Sequence, residues 1–168
     1  MFVLGVDPGL SRCGYGCIES RAGRHQAVAV GVLRTDPSRP VPDRLAELQG
    51  ELRDLFRELQ PSVVAIERVF FQHNVRTAMS VGQASGLAMV EAVAIGAEVV
   101  EYSPNEVKLA VAGDGRASKA EVQAMVQHLL GLATPPKPAD AADACALALC
   151  HLAHAGLRRR VAAAGGSR

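Results

Sequence analysis

Four acidic residues lie on three separate segments of the chain and could together bind a divalent metal. They are Asp7, Glu67, Asp140 and Asp143. Carboxylates cannot crowd together as bare anions, because their repulsion raises pKa values and costs stability. Mg²⁺ prefers oxygen ligands and would remove that repulsion. Two such ions about 3.5–4 Å apart can activate a water and stabilise the leaving oxygen of an in-line displacement, which suits phosphodiester hydrolysis.

Each of these acids also has an ordinary structural explanation. An acid that ends a strand, as Asp7 and Glu67 would, is often only a solvated strand end. Asp140 could cap the N-terminus of a helix, and Asp143 would be favoured by the helix dipole. Only the joint placement of all four acids by the fold favours a metal site over these explanations.

The elements predicted around Asp7 and Glu67 bring the two side chains together. Residues 2–6 form an apolar run that stops at Asp7, and residues 62–66 form an apolar strand that stops at Glu67. Leucines at helical spacing predict a helix over 42–60 between them, so the two strands are expected to be parallel neighbours. Parallel strands end at the same sheet edge, where open α/β sheets place their sites.

Three further strands extend this predicted sheet. Residues 13–19 and 26–34 are typical of strands, and the short links allow only antiparallel pairing, so the first three strands form a meander. Residues 97–102 are a fifth strand. The expected fold class is therefore α/β, with an antiparallel meander and parallel strands flanked by helices.

The helices fill the rest of the chain. A long helix over 75–96 is rich in Ala and Gly, and its small residues would permit close packing, including against a partner chain. Capping boxes beginning at Ser103 and Ser118 predict the starts of two more helices. A last helix over about 140–157 carries the final two acids three residues apart, on one face.

Length and composition indicate one compact domain. The 168 residues fit a single domain over 1–157, followed by a basic, flexible tail at 158–168. A net charge of +1 neither indicates nor excludes a nucleic-acid partner. The four cysteines form no CxxC pair, which favours buried thiols in a reducing cytoplasm. We expect no signal peptide and no membrane span, since no apolar run is long enough.

Five stretches of the sequence, in this order, together resemble the RuvC family of bacterial crossover junction endodeoxyribonucleases, or Holliday junction resolvases. Any one stretch would be weak evidence, whereas the combination is specific and covers nearly the whole chain. The stretches are GVDPGLSRCGYG at 5–16, AIERVFFQHN at 65–74, GQASG at 82–86, YSPNEVKLAVAGDGRASKAEV at 102–122 and DAADACALA at 140–148.

The resemblance implies a ribonuclease H-like fold with a five-stranded mixed sheet. It implies a homodimer that nicks two opposing strands of a four-way DNA junction symmetrically, in recombination and DNA repair, together with a branch-migration motor complex. The cofactor implied is Mg²⁺, up to two ions per active site, with Mn²⁺ as a substitute. The catalytic and metal-binding acids of the family fall on the same four residues: Asp7, Glu67, Asp140 and Asp143.

The resemblance also implies residues that contact DNA. The junction-probing Phe of the family matches Phe70, whereas we expect Phe71 to be packed. Conserved basic positions match Lys108 and Lys119, and Lys119 could bind phosphate or stabilise charge that develops in the transition state. Three arginines are further candidates for phosphate contacts: Arg12, Arg76 and Arg116.

Three alternatives remain open at this point. An ATP-binding domain of the actin and sugar-kinase type also opens with a strand, an Asp and a Gly-rich turn, but needs two such domains and does not explain Glu67 with the late acids. A non-catalytic module on the same fold would be favoured by loss of one of the four acids, and none is missing. A ribonuclease H that cleaves RNA–DNA hybrids differs in its substrate.

Overall fold

The structure is a computed structural model that describes residues 1–68 and 75–165, with side chains described over 1–68 and 78–156. Its elements follow one another in the order that the sequence predicts. They are β1 (Phe2–Asp7), β2 (Arg12–Arg21), β3 (Arg24–Arg34), α1 (Val41–Leu59), β4 (Val63–Glu67), α2 (Val75–Ala94), β5 (Glu98–Tyr102), α3 (Pro104–Ala112), α4 (Lys119–Leu129) and α5 (Ala139–Gly165).

One five-stranded mixed sheet organises these elements. Its strand order is β3-β2-β1-β4-β5. The strands β1, β2 and β3 form the expected antiparallel meander, while β4 pairs parallel with both β1 and β5. The predicted parallel pairing of the strands that end at Asp7 and Glu67 is therefore confirmed.

Each face of the sheet is buried under helices. Side chains alternate along β1, so that Val3 points into a cluster with α3, α4 and α5 and Leu4 into a second cluster with α1 and α2. Leu48, Leu52 and Phe56 of α1 are fully buried in this second cluster, as their helical spacing predicts. The two clusters place the sheet between two helical layers.

Glycines in β1 and β2 let α5 lie directly on the sheet. A Cβ at Gly5 would overlap the carbonyl oxygen of Ala144, and one at Gly14 would overlap the carbonyl oxygen of Asp140. At Gly16 a Cβ would lie 2.6 Å from the Sγ of Cys145. No residue with a side chain fits such close contacts, so these glycines fix the depth and position of α5.

An ion pair between a buried carboxylate and a partly exposed arginine joins α1 to α2. The Glu91 carboxylate is 4% exposed and accepts hydrogen bonds from Arg53 Nε at 3.0 Å and Nη2 at 2.8 Å. Gln49 donates a third hydrogen bond at 2.7 Å. The Arg53 guanidinium lowers the pKa of Glu91, so the carboxylate stays charged in the folded protein. This contact fixes α2 against α1.

The last helix is longer than predicted. The expected helix end near residue 157 is wrong, because α5 continues to Gly165, whereas the flexibility of the basic segment 158–168 stays a prediction. Residues 157–164 are Leu, Arg, Val and Ala, most of which favour helix, and no proline interrupts them. Among the described helices, none is long and apolar enough to cross a membrane.

Candidate active site

Asp7 and Glu67 lie side by side at one edge of the sheet. The register pairs Val6 with Ile66, so the acid that follows each of them falls at the same level. Burial and the charge of Asp143 raise the pKa of Glu67 above its ordinary value. A hydrogen bond between the Asp7 and Glu67 side chains offsets part of this rise. This adjacency follows from parallel strands that end together.

Burial and neighbouring charges strongly perturb Asp7. Its pKa is raised from 3.8 to about 7, chiefly by burial and then by the charges of Glu67, Asp143 and Asp140. All four predicted acids are therefore close enough to interact electrostatically. The protonated carboxyl of Asp7 can donate its hydrogen to the Glu67 carboxylate.

The first turns of α5 bring Asp140 and Asp143 to this edge. Their spacing of three places both on one side of the helix, and Gly14 of β2 directly contacts the backbone of Asp140. Gly14 pairs with Asp7 in the sheet. One glycine thus links the strand end that carries Asp7 to the helix that carries the other two acids.

Two cations lie against the α5 acids. The Nζ of Lys119 is 2.5 Å from Asp143 Oδ2, and Arg12 Nη2 is 2.5 Å from Asp140 Oδ2. The hydrogen bond to Asp143 raises the pKa of Lys119, which keeps the ammonium charged. Lys119 begins α4 directly after Ser118, whose predicted capping box is present. The cap therefore fixes the start of the helix that carries this lysine.

The acids fit a hard divalent cation. They offer only oxygen donors, their mutual repulsion raises the pKa of Asp7, and the buried Oδ2 of Asp140 accepts no hydrogen bond from the described residues. Across those residues, no three His, Cys, Asp or Glu side chains already converge as a closed metal cage. The four acids thus form an electrostatically coupled group, which a cation would draw together.

A cavity of about 290 Å³ opens beside the acids. Lys108 lines this cavity together with Lys119. Both are basic residues that the family resemblance indicated. Sequence patterns did not reveal the apolar part of its wall, because those residues also satisfy the helical pattern of a core. The cavity is lined by Glu67, Pro104, Val107, Lys108, Lys119, Val122, Asp143, Ala146 and Leu147.

The structure shows where two of the other residues expected to contact DNA lie. Arg116 is exposed in the α3–α4 loop, 3.6 Å from Asp114. Arg12 contacts Asp140, which the sequence analysis missed. No local pattern in the sequence indicates this contact, because it depends on how α5 packs against β2. Phe70, Phe71 and the side chain of Arg76 lie outside the described residues.

Comparison with known proteins identifies the family. Residues 3–151 match the family model described as Crossover junction endodeoxyribonuclease RuvC. A protein of that name from Salinispora arenicola is 53% identical over 165 residues, which cover 98% of this chain and 94% of the relative. The chain belongs to the RuvC family. This finding confirms the resemblance drawn from the five sequence stretches and makes the chain a member of a family of endonucleases.

Solved RuvC structures share the fold. Thermus thermophilus RuvC superimposes with a TM-score of 0.85 at 35% identity, covering 94% of this chain and 96% of that one. T. thermophilus RuvC in complex with Holliday junction substrate gives a TM-score of 0.87 at 36% identity, with coverage of 92% and 94%. The expected ribonuclease H-like sheet is thereby confirmed.

Proposed function

We propose that this chain is a structure-selective endonuclease that resolves four-way DNA junctions by paired, symmetric nicks through Mg²⁺-dependent hydrolysis. The observation that carries the proposal is the electrostatic coupling of the four acids at one sheet edge, in a chain of the RuvC family. Ribonuclease H-type cleavage of RNA–DNA hybrids would use similar acids, so the substrate decides between the two activities.

In this proposal Asp7, Glu67, Asp140 and Asp143 hold the divalent cations, Mg²⁺ or, as a substitute, Mn²⁺, up to two per site. The cations would supply Lewis acidity for the attacking water and the leaving oxygen. A bound cation would stabilise the charged carboxylates, so it would favour the deprotonated form of Asp7, whose pKa is about 7 without the cation. The acids thus bind and orient the reacting groups.

Lys119 supplies positive charge on the α4 side of the site. Its ammonium group contacts Asp143 and borders the cavity, where a DNA phosphate would add negative charge. A fixed cation placed there stabilises charge that develops on the phosphate in the transition state. Lys108 lines the same cavity and would contact the DNA backbone. Arg116, Arg76 and Phe70 remain proposed DNA contacts, with Phe70 probing the junction.

A homodimer would present two such sites to one junction. A continuous stripe on α2 supports this assembly, because Met79, Val90 and Val93 are 59%, 61% and 67% exposed. Gly82 and Gly86 lie on the same stripe, and a Cβ at either would contact nothing among the described residues. An exposed apolar stripe with open glycines suits close packing against the same helix of a second copy.

The substrate assignment is supported by the T. thermophilus relative, which is described in complex with Holliday junction substrate. Two sites in a symmetric dimer would face equivalent strands of a four-way junction, which accounts for paired nicks at symmetric positions. We place the activity in recombination and repair in the cytoplasm, alongside a branch-migration motor complex that moves the junction.

The direct test is incubation of the purified protein with a synthetic four-way junction, in Mg²⁺ or in EDTA, with the cut positions mapped on all strands. We expect paired, symmetric nicks in Mg²⁺ and none in EDTA. An RNA–DNA hybrid of matched sequence serves as the competing substrate. Cleavage of the hybrid without symmetric cleavage of the junction would replace this proposal with ribonuclease H activity.

A further inference from the structure

Arg12 makes an ion pair with one of the proposed metal ligands. Its Nη2 lies 2.5 Å from Asp140 Oδ2, and the two side chains are 46% and 28% exposed. The contact follows from the fold, because Gly14, two residues further along β2, lies against the backbone of Asp140. The start of β2 therefore delivers a guanidinium to the first turn of α5.

The ion pair leaves the carboxylate oxygen incompletely satisfied. Asp140 Oδ2 is buried, yet it accepts no hydrogen bond from any described residue, so the guanidinium approaches it without hydrogen-bonding geometry. A buried acceptor without a hydrogen bond is costly. A directly coordinated divalent cation would satisfy that oxygen, since carboxylate oxygens are preferred ligands of such ions.

Arg12 and a divalent cation cannot both use this oxygen. Two positive charges at one carboxylate repel each other, and the repulsion is screened only partly because the oxygen is buried. Arg12 can leave, because its side chain is nearly half exposed. An exposed arginine in an ion pair of this kind contributes little to folding stability, so its replacement leaves the fold intact.

We propose that Arg12 is a built-in competitor of the divalent cation at Asp140: it holds the carboxylate of the metal-free protein in place and is displaced when the cation binds. The inference rests on the proposed metal-dependent function. Arg12 acts through Asp140 and is a positioning residue. Its removal tightens cation binding, whereas loss of a ligand such as Asp7 abolishes it.

The experiment is a Mn²⁺ titration of the DNA-free protein, followed by the electron paramagnetic resonance signal of free Mn²⁺. Arg12→Gln removes the positive charge that competes with the cation. The variant should therefore bind Mn²⁺ about 3- to 10-fold more tightly than wild type. Arg12→Lys keeps the charge and should bind nearly as wild type. The matched control is Arg24→Gln, which removes the same charge from an exposed residue at the β2–β3 turn and should leave the affinity unchanged.

Each result separates this inference from the proposed function. Equal or weaker Mn²⁺ binding by a folded Arg12→Gln protein, with thermal unfolding as in wild type, would overturn the competition while leaving the metal site intact. Mn²⁺ binding by the Asp7→Asn protein at wild-type affinity would instead overturn the proposed metal site and the inference with it. An equal gain in Arg24→Gln would mean that the effect depends only on net charge, and it would also reject the competition.

Discussion

At the scale of single residues, the charged form of Asp7 lowers the stability of the metal-free protein but favours the binding of a divalent cation. Burial and three neighbouring acids raise its pKa to about 7, so the charged form is unfavourable in the metal-free protein. A divalent cation reverses this preference, because it binds the charged form. The same crowding that favours the cation therefore destabilises the protein without it.

Replacing Asp7 with Asn should stabilise the metal-free protein at pH 8. A carboxyl whose pKa rises on folding binds protons more tightly in the folded than in the unfolded state. The wild-type protein therefore loses folding stability as the pH rises from 3.8 to about 7. The full shift corresponds to about 4 kcal/mol, and we expect about 1–3 kcal/mol after local relaxation. Denaturant unfolding in EDTA at pH 4 and pH 8 measures the difference, which should be larger at pH 8. A variant less stable than wild type at pH 8 would contradict this assignment.

Lys119 should affect cleavage far more than binding. Lys119→Met removes the ammonium that contacts Asp143, and loss of one such group typically lowers the rate about 10²- to 10³-fold. Junction affinity measured with Ca²⁺ in place of Mg²⁺ should change little. Arg24→Met is the control, because that exposed arginine at the β2–β3 turn lies at the end of the sheet opposite Asp7. Equal losses of rate in both variants would argue against a specific role for Lys119.

At the scale of elements, the contact between β2 and α5 positions half of the site. A Cβ introduced by Gly14→Ala would overlap the carbonyl oxygen of Asp140. The helix α5 would have to shift, and Asp140 and Asp143 would move with it. We expect a loss of about 1–3 kcal/mol in unfolding free energy, with weakened Mn²⁺ binding. Gly50→Ala in α1 is the control, since its Cβ meets nothing and alanine favours helix by about 1 kcal/mol. A stable Gly14→Ala protein with unchanged Mn²⁺ affinity would show that the contact does not position the acids.

Most elements could be predicted from the sequence because their patterns are local. The leucines of α1, the apolar runs of β1 and β4 and the two capping boxes all depend on neighbouring residues. The topology placed Asp7 beside Glu67, since strand order follows from the connections. The end of α5 was predicted too early, because the RRR cluster and the terminal glycines suggested a tail although Ala and Leu continue the helix.

Side-chain partners across elements could not be predicted in this way. The expected contact of Arg12 with DNA phosphate stays a prediction, whereas its ion pair with Asp140 had no local signal in the sequence. Lys119 was expected near phosphate, but its contact with Asp143 depends on how α4 lies against α5. Such pairs are decided by the packing of distant segments, which local periodicity does not encode.

At the scale of the whole molecule, the proposed activity requires two sites acting on one junction. The exposed stripe of α2 offers the surface for a second copy, and Val90, 61% exposed, lies within it. Val90→Glu would place two like charges at a symmetric interface and should convert the dimer to monomer, as measured by sedimentation velocity. Val28→Glu, at an exposed valine of β3, is the matched control and should leave the dimer intact. A dimeric Val90→Glu protein would place the interface elsewhere.

The loss of the dimer should also change the products. A monomer has one site, so the paired nicks of the dimer would become uncoordinated single nicks. A supercoiled plasmid with an extruded cruciform distinguishes the two outcomes, because paired nicks give linear product and single nicks give open circles. Linear product at wild-type yield from monomeric Val90→Glu would contradict the requirement for two sites in one assembly.

The central claim is that the four acids at the sheet edge perform the cleavage, and the Asp7→Asn variant with a synthetic four-way junction tests it most directly. Binding is measured by gel shift in Ca²⁺, and cleavage is measured in Mg²⁺ with mapped products. We predict a folded protein that binds the junction as wild type does and produces no nicks. Symmetric nicks from this variant in Mg²⁺ would contradict the assignment of the active site.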